Sequence, residues 1–489
     1  MAVLFPKGRK TSIGPTLHAR PQGPSKGPRA PAQPVREPRP ERKRTPLLTA
    51  TLRIDSLASG GDGVGRLESG EVVFLPDTAP GERVEAAIDL AQKPAQGRVL
   101  QILERSPDRV APPCPYVAIC GGCDWMHLNV AAQERAHAAL VEGSIRHASG
   151  GAAGAEVPAI VRHPAESALG YRTRARLFVK IERGKLRIGY RAQGSHEVVQ
   201  IDRCVVLHAA IAPVLGDLPV VLKGASGEGD AQIARGKGGV PVVDLAWRGE
   251  IPATTWAAID ARVKAGTWAG ARVRVEGSSL PAVFGDPRPF VDGADGAPLA
   301  IAAGGFAQPS DHGAAALARR VDELARLTSG PPGQGPLWKE ERAHHVVELF
   351  AGSGTLSILL ARDVASFNGI EIDPDAAACA RQNFTARAIE GKFTVADADA
   401  FVIPPRAEIV VLDPPRSGAP GAVKAIVASS ARAVVYVACD PPTLGRDLGA
   451  LLRAGFVVTH VETFELFPQT SHVETVVRLV RARPGNPAR

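Results

Sequence analysis

A chain of 489 residues with 45% hydrophobic residues exceeds one ordinary core and implies two to four domains. No stretch approaches the roughly 20 uninterrupted apolar residues of a membrane span, and the N-terminus lacks the apolar segment of a secretory signal, so a cytoplasmic protein is expected. The net charge of +8 is uneven: residues 1–46 hold eleven Lys or Arg against Glu37 and Glu41, leaving the remainder near neutral. That tail is rich in Pro, Gly and Arg, a composition of disorder. It fits a loose electrostatic arm for nucleic acid or a solubilising extension equally well. Its prolines argue against the amphipathic helix of a mitochondrial presequence.

Residues 47–105 read as a small all-β module. Leu52-Arg53-Ile54, Val72-Val73-Phe74-Leu75, Arg83-Val84-Glu85-Ala86 and Arg98-Val99-Leu100-Gln101-Ile102 are short strand candidates separated by Gly-, Pro- and Asp-rich turns. Gly61-Asp62-Gly63-Val64-Gly65-Arg66, Val73-Phe74-Leu75-Pro76 and Pro80-Gly81-Glu82-Arg83-Val84 resemble the TRAM domain, an oligonucleotide-binding-type barrel of RNA-modifying enzymes. The RNA role is what the resemblance implies; periodicity gives only a small barrel.

Six cysteines are too few for a disulfide framework in a cytosolic chain of this size. Cys114, Cys120 and Cys123 form C-x5-C-x2-C with two glycines in the last gap, and Cys204 offers a fourth thiolate. Four thiolates suit zinc or an iron–sulfur cluster. Zinc sites favour paired C-x2-C knuckles and only one is present, so a cluster, 4Fe-4S in type, is the expectation. Cys379, within Ala376-Ala377-Ala378-Cys379-Ala380, reads as a small packing residue. A central domain over 106–300 is completed by the basic run Tyr171-Arg172-Thr173-Arg174-Ala175-Arg176. Alternation predicts Arg172, Arg174 and Arg176 on one strand face, suited to RNA phosphates. Residues 210–300 carry no interpretable motif.

From about residue 301 strands and helices alternate, which predicts an α/β Rossmann-like domain through residue 489. Leu317, Val321 and Leu324 recur at helical spacing. Val346–Phe350 is a strand candidate running into Ala351-Gly352-Ser353-Gly354-Thr355, and a second strand ends at Glu371, about 20 residues on. Glycines admit a cofactor close to the backbone, and the acid accepts from ribose hydroxyls. Position 357 is Ser, so the third glycine that seats a pyrophosphate is missing, which favours S-adenosyl-L-methionine over NAD. Asp397 is placed to reach the adenine edge, and Asp413-Pro414-Pro415-Arg416 ends another strand in a carboxylate. The run Ala433–Ala438 reads as a buried strand stopping at Cys439, with Asp440-Pro441-Pro442 starting a helix. A cysteine at a strand's carboxyl end beside a helix N-terminus is expected to be held partly as thiolate.

Taken together, Cys114/Cys120/Cys123/Cys204, Phe306-Ala307-Gln308, Glu348–Thr355, Gly369-Ile370-Glu371, Asp413–Arg416, Tyr436–Pro441 and Phe467–Glu474 resemble the RNA uracil-5-methyltransferases. The resemblance spans about residues 47–480. It implies Cys439 as nucleophile and Glu474 as general base, with Gln308, Phe350, Thr355, Glu371, Asp397 and Asp413 lining the methyl-donor site. Ala438 stands where the family usually has Ser, Asp440 where it often has Asn, and Pro309-Ser310 where Val-Asn is commoner. Such chemistry needs a thiolate added to C6 of uracil to make C5 nucleophilic, then a base to remove the C5 proton. Barrel plus four cysteines resembles the 23S rRNA enzymes more than those for transfer RNA. A non-catalytic RNA-binding or assembly factor is the rival from another class, and it predicts a missing nucleophile or base.

Overall fold

The computed structural model describes residues 47–150, 157–330, 336–337 and 344–482; the basic tail lies outside them. A closed barrel comes first, from β1 (Leu48–Leu57), β2 (Gly63–Arg66), β3 (Val72–Leu75), β4 (Arg83–Asp89) and β5 (Ala95–Glu104). Leu52, Ile54, Val73, Leu75, Val84 and Ile88 fill it by inward alternation. The unpredicted strand is β2, whose glycines hide it. A Cβ on Gly65 would lie 2.5 Å from the Arg53 carbonyl and one on Gly63 1.9 Å from Thr78 Oγ1, so close approach of chains requires glycine there.

After the cysteine segment come α1 (Val130–Ala148) and β6 (Ile160–His163). A six-stranded sheet follows, built from β7 (Arg174–Glu182), β8 (Lys185–Gly189), β9 (Ser226–Arg235), β10 (Pro241–Glu250), β11 (Gly270–Val275) and β12 (Ala282–Gly285). Helices α2 (Val214–Val221) and α3 (Ala253–Lys264) lie within this stretch, and Leu215, Ile259, Trp247 and Trp268 share the sheet's apolar core. The arginine row does not form as expected. Arg174 is buried and pairs with Asp311 at 3.0 Å, and Arg172 precedes the strand and turns toward Tyr171 and the cysteines. Arg176 alone is exposed, ion-paired to Asp230. Burying a cation requires a partner, and Asp311 supplies it from the following domain.

A short hairpin, β13 (Phe290–Asp292) with β14 (Pro298–Ala300), leads to α4 (Asp311–Arg326). Leu317, Val321 and Leu324 of α4 are buried as their spacing predicts. The strands β15 (His345–Leu349), β16 (Ser366–Glu371), β17 (Lys392–Val395), β18 (Ile409–Leu412), β19 (Ala433–Ala438), β20 (Phe456–Phe464) and β21 (Glu474–Arg481) alternate with α5 (Ser357–Leu360), α6 (Pro374–Thr385), α7 (Pro420–Ala428) and α8 (Pro441–Arg453). Their sheet has the order β17-β16-β15-β18-β19-β21-β20-β6, with β21 antiparallel to its neighbours. It therefore draws one strand, β6, from the stretch before residue 301. The chain winds outward from β15 in one direction, then from β18 in the other, which makes the β15–β18 junction the switch point where α/β sheets bind ligands. Leu317 and Val321 of α4 pack on one face, while Val141 and Ile145 of α1 join Leu444 and Leu448 of α8 on the other. Among the described residues no helix is long and apolar enough to cross a membrane.

Strand β21 is pinned by Arg478, which is fully buried. It donates to the carbonyls of Leu324 at 2.9 Å, Leu327 at 2.7 Å and Ser329 at 2.9 Å, answering orphan groups at the end of α4. Arg478→Leu removes the donor and leaves those carbonyls unmet, so we expect a loss of roughly 3 kcal/mol in stability. A fall in the urea midpoint at unchanged slope measures it; an unchanged midpoint refutes it.

Candidate functional site

Four parallel strands deliver side chains to the carboxyl edge of the sheet. Phe350 follows β15 with φ 63°, a left-handed backbone that a non-glycine residue holds only under constraint. Gly352 and Gly354 follow, also at positive φ. Glu371, ending β16, accepts from the Gly352 N–H at 2.7 Å and from the Asp373 N–H at 2.8 Å. The Ala396 N–H donates to the Glu371 carbonyl at 3.0 Å, which brings exposed Asp397 alongside. Asn383 of α6 fastens the glycine loop from behind, donating to the carbonyls of Ala300 at 2.8 Å and Ser353 at 2.9 Å. Phe350, Glu371 and Asp397 thus stand just past the ends of the neighbouring strands β15, β16 and β17, with Thr355 at the close of the glycine loop.

The second group gathers at β18, β19 and β21. Ala438 pairs with Thr475 across the antiparallel ladder, so Cys439 at the end of β19 stands beside Glu474 at the start of β21. Asp440 caps α8, accepting from the Thr443 N–H at 3.0 Å. Glu474 is buried, its carboxyl takes a hydrogen bond from Gln308, and its Oε1 has no partner. Gln308 Oε1 is likewise buried and unpartnered. Burial first, then the charge of Asp413, holds the Glu474 carboxyl well above the usual range. Burial pushes Asp413 up to about 7.

Cys439 departs from expectation. Burial, then the neighbouring Glu474 charge, pushes its thiol up to about 12, against the pull of Arg416. The helix N-terminus does not overcome three nearby carboxyl groups, so the free protein holds a thiol rather than a thiolate. The one cation here, Arg416, donates to His472 Nε2 at 3.1 Å.

Cys114, Cys120, Cys123 and Cys204 are brought together around one cavity with Val117, Met126, Val206, Tyr190 and Arg172. Tight packing explains the glycines between Cys120 and Cys123: a Cβ on Gly121 would lie 2.9 Å from the Arg191 carbonyl. Burial pushes the Cys123 thiol up to about 12. Among the described residues no three His, Cys, Asp or Glu side chains already stand as a group able to hold a metal ion.

Sequence reasoning assigned no role to Asp447, which lies on the buried face of α8. It accepts from Tyr436 Oη at 2.7 Å and the Ala419 N–H at 2.9 Å, and so fastens the loop after Asp413. A lone acid amid apolar helix positions was its only signal.

Three family descriptions match the chain: a TRAM domain over residues 48–100, a methyltransferase small domain over 336–435 and tRNA (uracil-5-)-methyltransferase over 404–482. A 23S rRNA (uracil(1939)-C(5))-methyltransferase of Chromohalobacter salexigens is 32% identical over 94% of this chain and 96% of its own. An uncharacterised RNA methyltransferase of Gloeobacter violaceus is 31% identical over 89% of this chain and 97% of its own. The solved tRNA (uracil-54, C5)-methyltransferase of Pyrococcus abyssi, in complex with S-adenosyl-L-homocysteine, superposes with TM-score 0.65 at 22% identity. It covers 88% of this chain and all of that one, a likeness of fold.

Beneath the glycine loop, buried Glu348 accepts from Ser357 Oγ at 2.5 Å. Burial, then the charges of Asp413 and Glu371, raises it from 4.5 to about 8. The folded-state value lies above the unfolded one, so the penalty is absent below about pH 4.5 and grows until about pH 8, reaching the order of 5 kcal/mol. Glu348→Gln keeps an acceptor for Ser357 and removes the charge. Its unfolding temperature should exceed that of the parent at pH 8 and converge with it at pH 4.5; a constant difference at both pH values contradicts the burial account.

Proposed function

The chain belongs to the RNA uracil-5-methyltransferase family, and from that premise we propose that it methylates C5 of a uridine in structured RNA, with S-adenosyl-L-methionine as donor. The observation that carries this reading is the juxtaposition of Cys439 and Glu474 across the β19–β21 ladder. Cys439 Sγ adds to C6, its proton passing to the carboxylates beside it, and the C5–C6 double bond becomes an enolate with electron density on C5. C5 attacks the sulfonium methyl of the donor, the bond from that carbon to sulfur breaks, and S-adenosyl-L-homocysteine is the leaving group. Glu474 then removes the C5 proton, the double bond re-forms and the bond from C6 to sulfur breaks. A buried carboxyl with a raised pKa is a suitable base, because its basicity is closer to neutral.

The charge pattern supports a cationic donor. Asp413, Glu474 and Glu371 face a region where Arg416 is the only neighbouring cation acting on Cys439. A sulfonium there lowers both carboxyls and thiol toward their ionised forms, so nucleophile and base become active when the donor is bound. Gln308, Phe350, Thr355, Glu371, Asp397 and Asp413 form the donor site in this reading, and the unpartnered Gln308 Oε1 awaits a donor group.

Cys114, Cys120, Cys123 and Cys204 would hold an iron–sulfur cluster. The four line one cavity, where four thiolates would take zinc or a cluster, and the single C-x2-C pair favours the cluster. Arg172 at the cavity, its Nε without a partner, offers the positive charge such a thiolate centre needs. The cluster staples the fold here and takes no step in methylation.

Ribosomal RNA of the large subunit is the preferred substrate, since the 32%-identical relative that carries that name matches from end to end. The barrel over 47–105 and the central domain over 106–300 grip RNA while the domain from 301 performs the chemistry on a flipped-out base in the cytoplasm.

Offered 5-fluorouridine-substituted 23S fragments and transfer RNA with the donor, the protein should form a denaturation-resistant adduct with the 23S fragment, because fluorine blocks proton removal. Cys439→Ala should abolish the adduct and retain donor binding. No adduct with either RNA overturns the reading, and an adduct with transfer RNA alone redirects it. Protein purified without oxygen should contain iron and acid-labile sulfide in equal amounts, lost in Cys123→Ser; zinc in their place refutes the cluster.

A further inference from the structure

The base Glu474 opens β21 directly after an irregular loop whose backbone makes few bonds of its own. Gln469 in that loop has φ 72°, a left-handed conformation for a side chain that resists it. Such strain persists only where surrounding structure over-determines it. Here the surroundings come from one short segment beginning next to a cysteine.

Each loop residue from Pro468 to Ser471 is bound from outside. Asp124, immediately after Cys123, accepts from the Ser471 N–H at 2.8 Å and from Ser471 Oγ at 2.5 Å. The Trp125 N–H donates to the Gln469 carbonyl at 3.0 Å. Gln133 and Gln469 form a reciprocal pair: the Gln469 N–H donates to Gln133 Oε1 at 2.8 Å, and Gln133 Nε2 donates to Gln469 Oε1 at 3.1 Å. His137 spans Glu465, at 2.8 Å, and the Thr470 carbonyl, at 3.1 Å. Tyr171 Oη donates to the Pro468 carbonyl at 3.1 Å. Gln133 and His137 are buried at 1% and 0% exposure, where an unmet polar group is costly, so these bonds hold tightly. The anchoring end is equally fixed: Trp125 is wholly buried and donates to the Gly61 carbonyl of the barrel at 2.9 Å.

We infer that Asp124, Gln133 and His137 are positioning residues for Glu474: the segment leaving the four-cysteine cavity clamps the base loop and sets where the carboxyl meets C5 of the substrate. None of the three touches the reacting atoms. Two steps of the reaction respond differently to a loosened clamp. Addition of Cys439 and methyl transfer depend on β19 and the donor site, whereas release of product depends on Glu474. This inference rests on the assignment of Glu474 as base.

The full-length protein, loaded at its cysteine site, is assayed on ordinary, unfluorinated RNA with the substrate found above. Asp124→Ala should lower kcat about a hundredfold with KM falling in step, because the slowed step follows adduct formation, and should leave donor binding unchanged. It should also accumulate a methylated protein–RNA adduct that survives denaturation, which the parent does not. Ser471→Ala, remote from the cysteines, keeps the N–H bond and should show the same adduct at a smaller loss. Glu474→Gln calibrates the assay. If it accumulates adduct and neither clamp variant does, the clamp is structural only and the inference fails while the base stands. If Glu474→Gln accumulates none, the base assignment itself fails. A merely structural role would lower the unfolding temperature and leave kcat of the folded fraction unchanged. Iron and sulfide measured in each variant separate a lost cysteine site from a loosened loop, with Ser471→Ala deciding where Asp124→Ala has lost them.

Discussion

Antiparallel pairing of β21 with β19 is the constraint on which the site depends. The other neighbour of β19, β18, runs parallel to it, as do β15, β16 and β17 beyond, so each delivers only its last residues to the carboxyl edge. A parallel β21 would carry Glu474 to the opposite edge, a displacement of about 20 Å for a strand of this length. Reversal places the first residue of one strand beside the last residue of the other, so Glu474 and Cys439, the base and nucleophile proposed above, meet there. Arg478 holds the reversed strand by its grip on the end of α4, which explains a buried guanidinium in an otherwise apolar ladder.

Placement brings an electrostatic cost. Cys439, Glu474, Asp413 and Glu348 occupy adjoining strand ends; burial raises all four, and like charge adds to it for Cys439, Glu474 and Glu348. A site optimised for stability would carry amides or apolar groups at these positions. The arrangement makes sense for a protein whose bound partner is a cation: the charge that would relieve the cluster comes with the methyl group. In the reading proposed above, a cation bound among these groups favours the ionised thiol over the protonated one.

Sequence made the catalytic half legible to a degree the central half was not. Strands such as Ile409–Leu412 and Ala433–Ala438 are buried on both faces, so they appear as unbroken apolar runs ended by Asp-Pro or Cys-Asp-Pro. Their ends are also where the chemistry lies, and motif and geometry coincide. By contrast β9 reads Ser-Gly-Glu-Gly-Asp-Ala-Gln-Ile-Ala-Arg, whose glycines let it lie against β10 with a Cβ on Gly229 only 2.1 Å from the Ala246 carbonyl. Glycine signals a turn in sequence and close strand contact in space, and local reasoning chooses the former. Alternation placed Arg172, Arg174 and Arg176 on a face; it could not reveal that Asp311, 137 residues beyond Arg174, would take one of them inside. The thiolate expectation failed for the same reason, since the carboxyls around Cys439 come from other strands.

Distance in sequence also hid what joins the modules. Gln133 and Gln469 are 336 residues apart, yet the Gln133 amide accepts from the Gln469 backbone N–H and donates to its side-chain Oε1. Gly61 of the barrel lies so close to Asp124 that a Cβ there would come within 2.3 Å of its carboxylate. Barrel, cysteine segment and base loop therefore meet at a single residue, Asp124, with no room for a side chain on the barrel side. The cysteine cavity accordingly sits one residue from the contacts that hold the loop before Glu474, and Cys123 marks the origin from which Asp124 and Trp125 reach that loop. Contacts made there hold more than their own segment: they set the register between the barrel and the loop that opens β21 at Glu474.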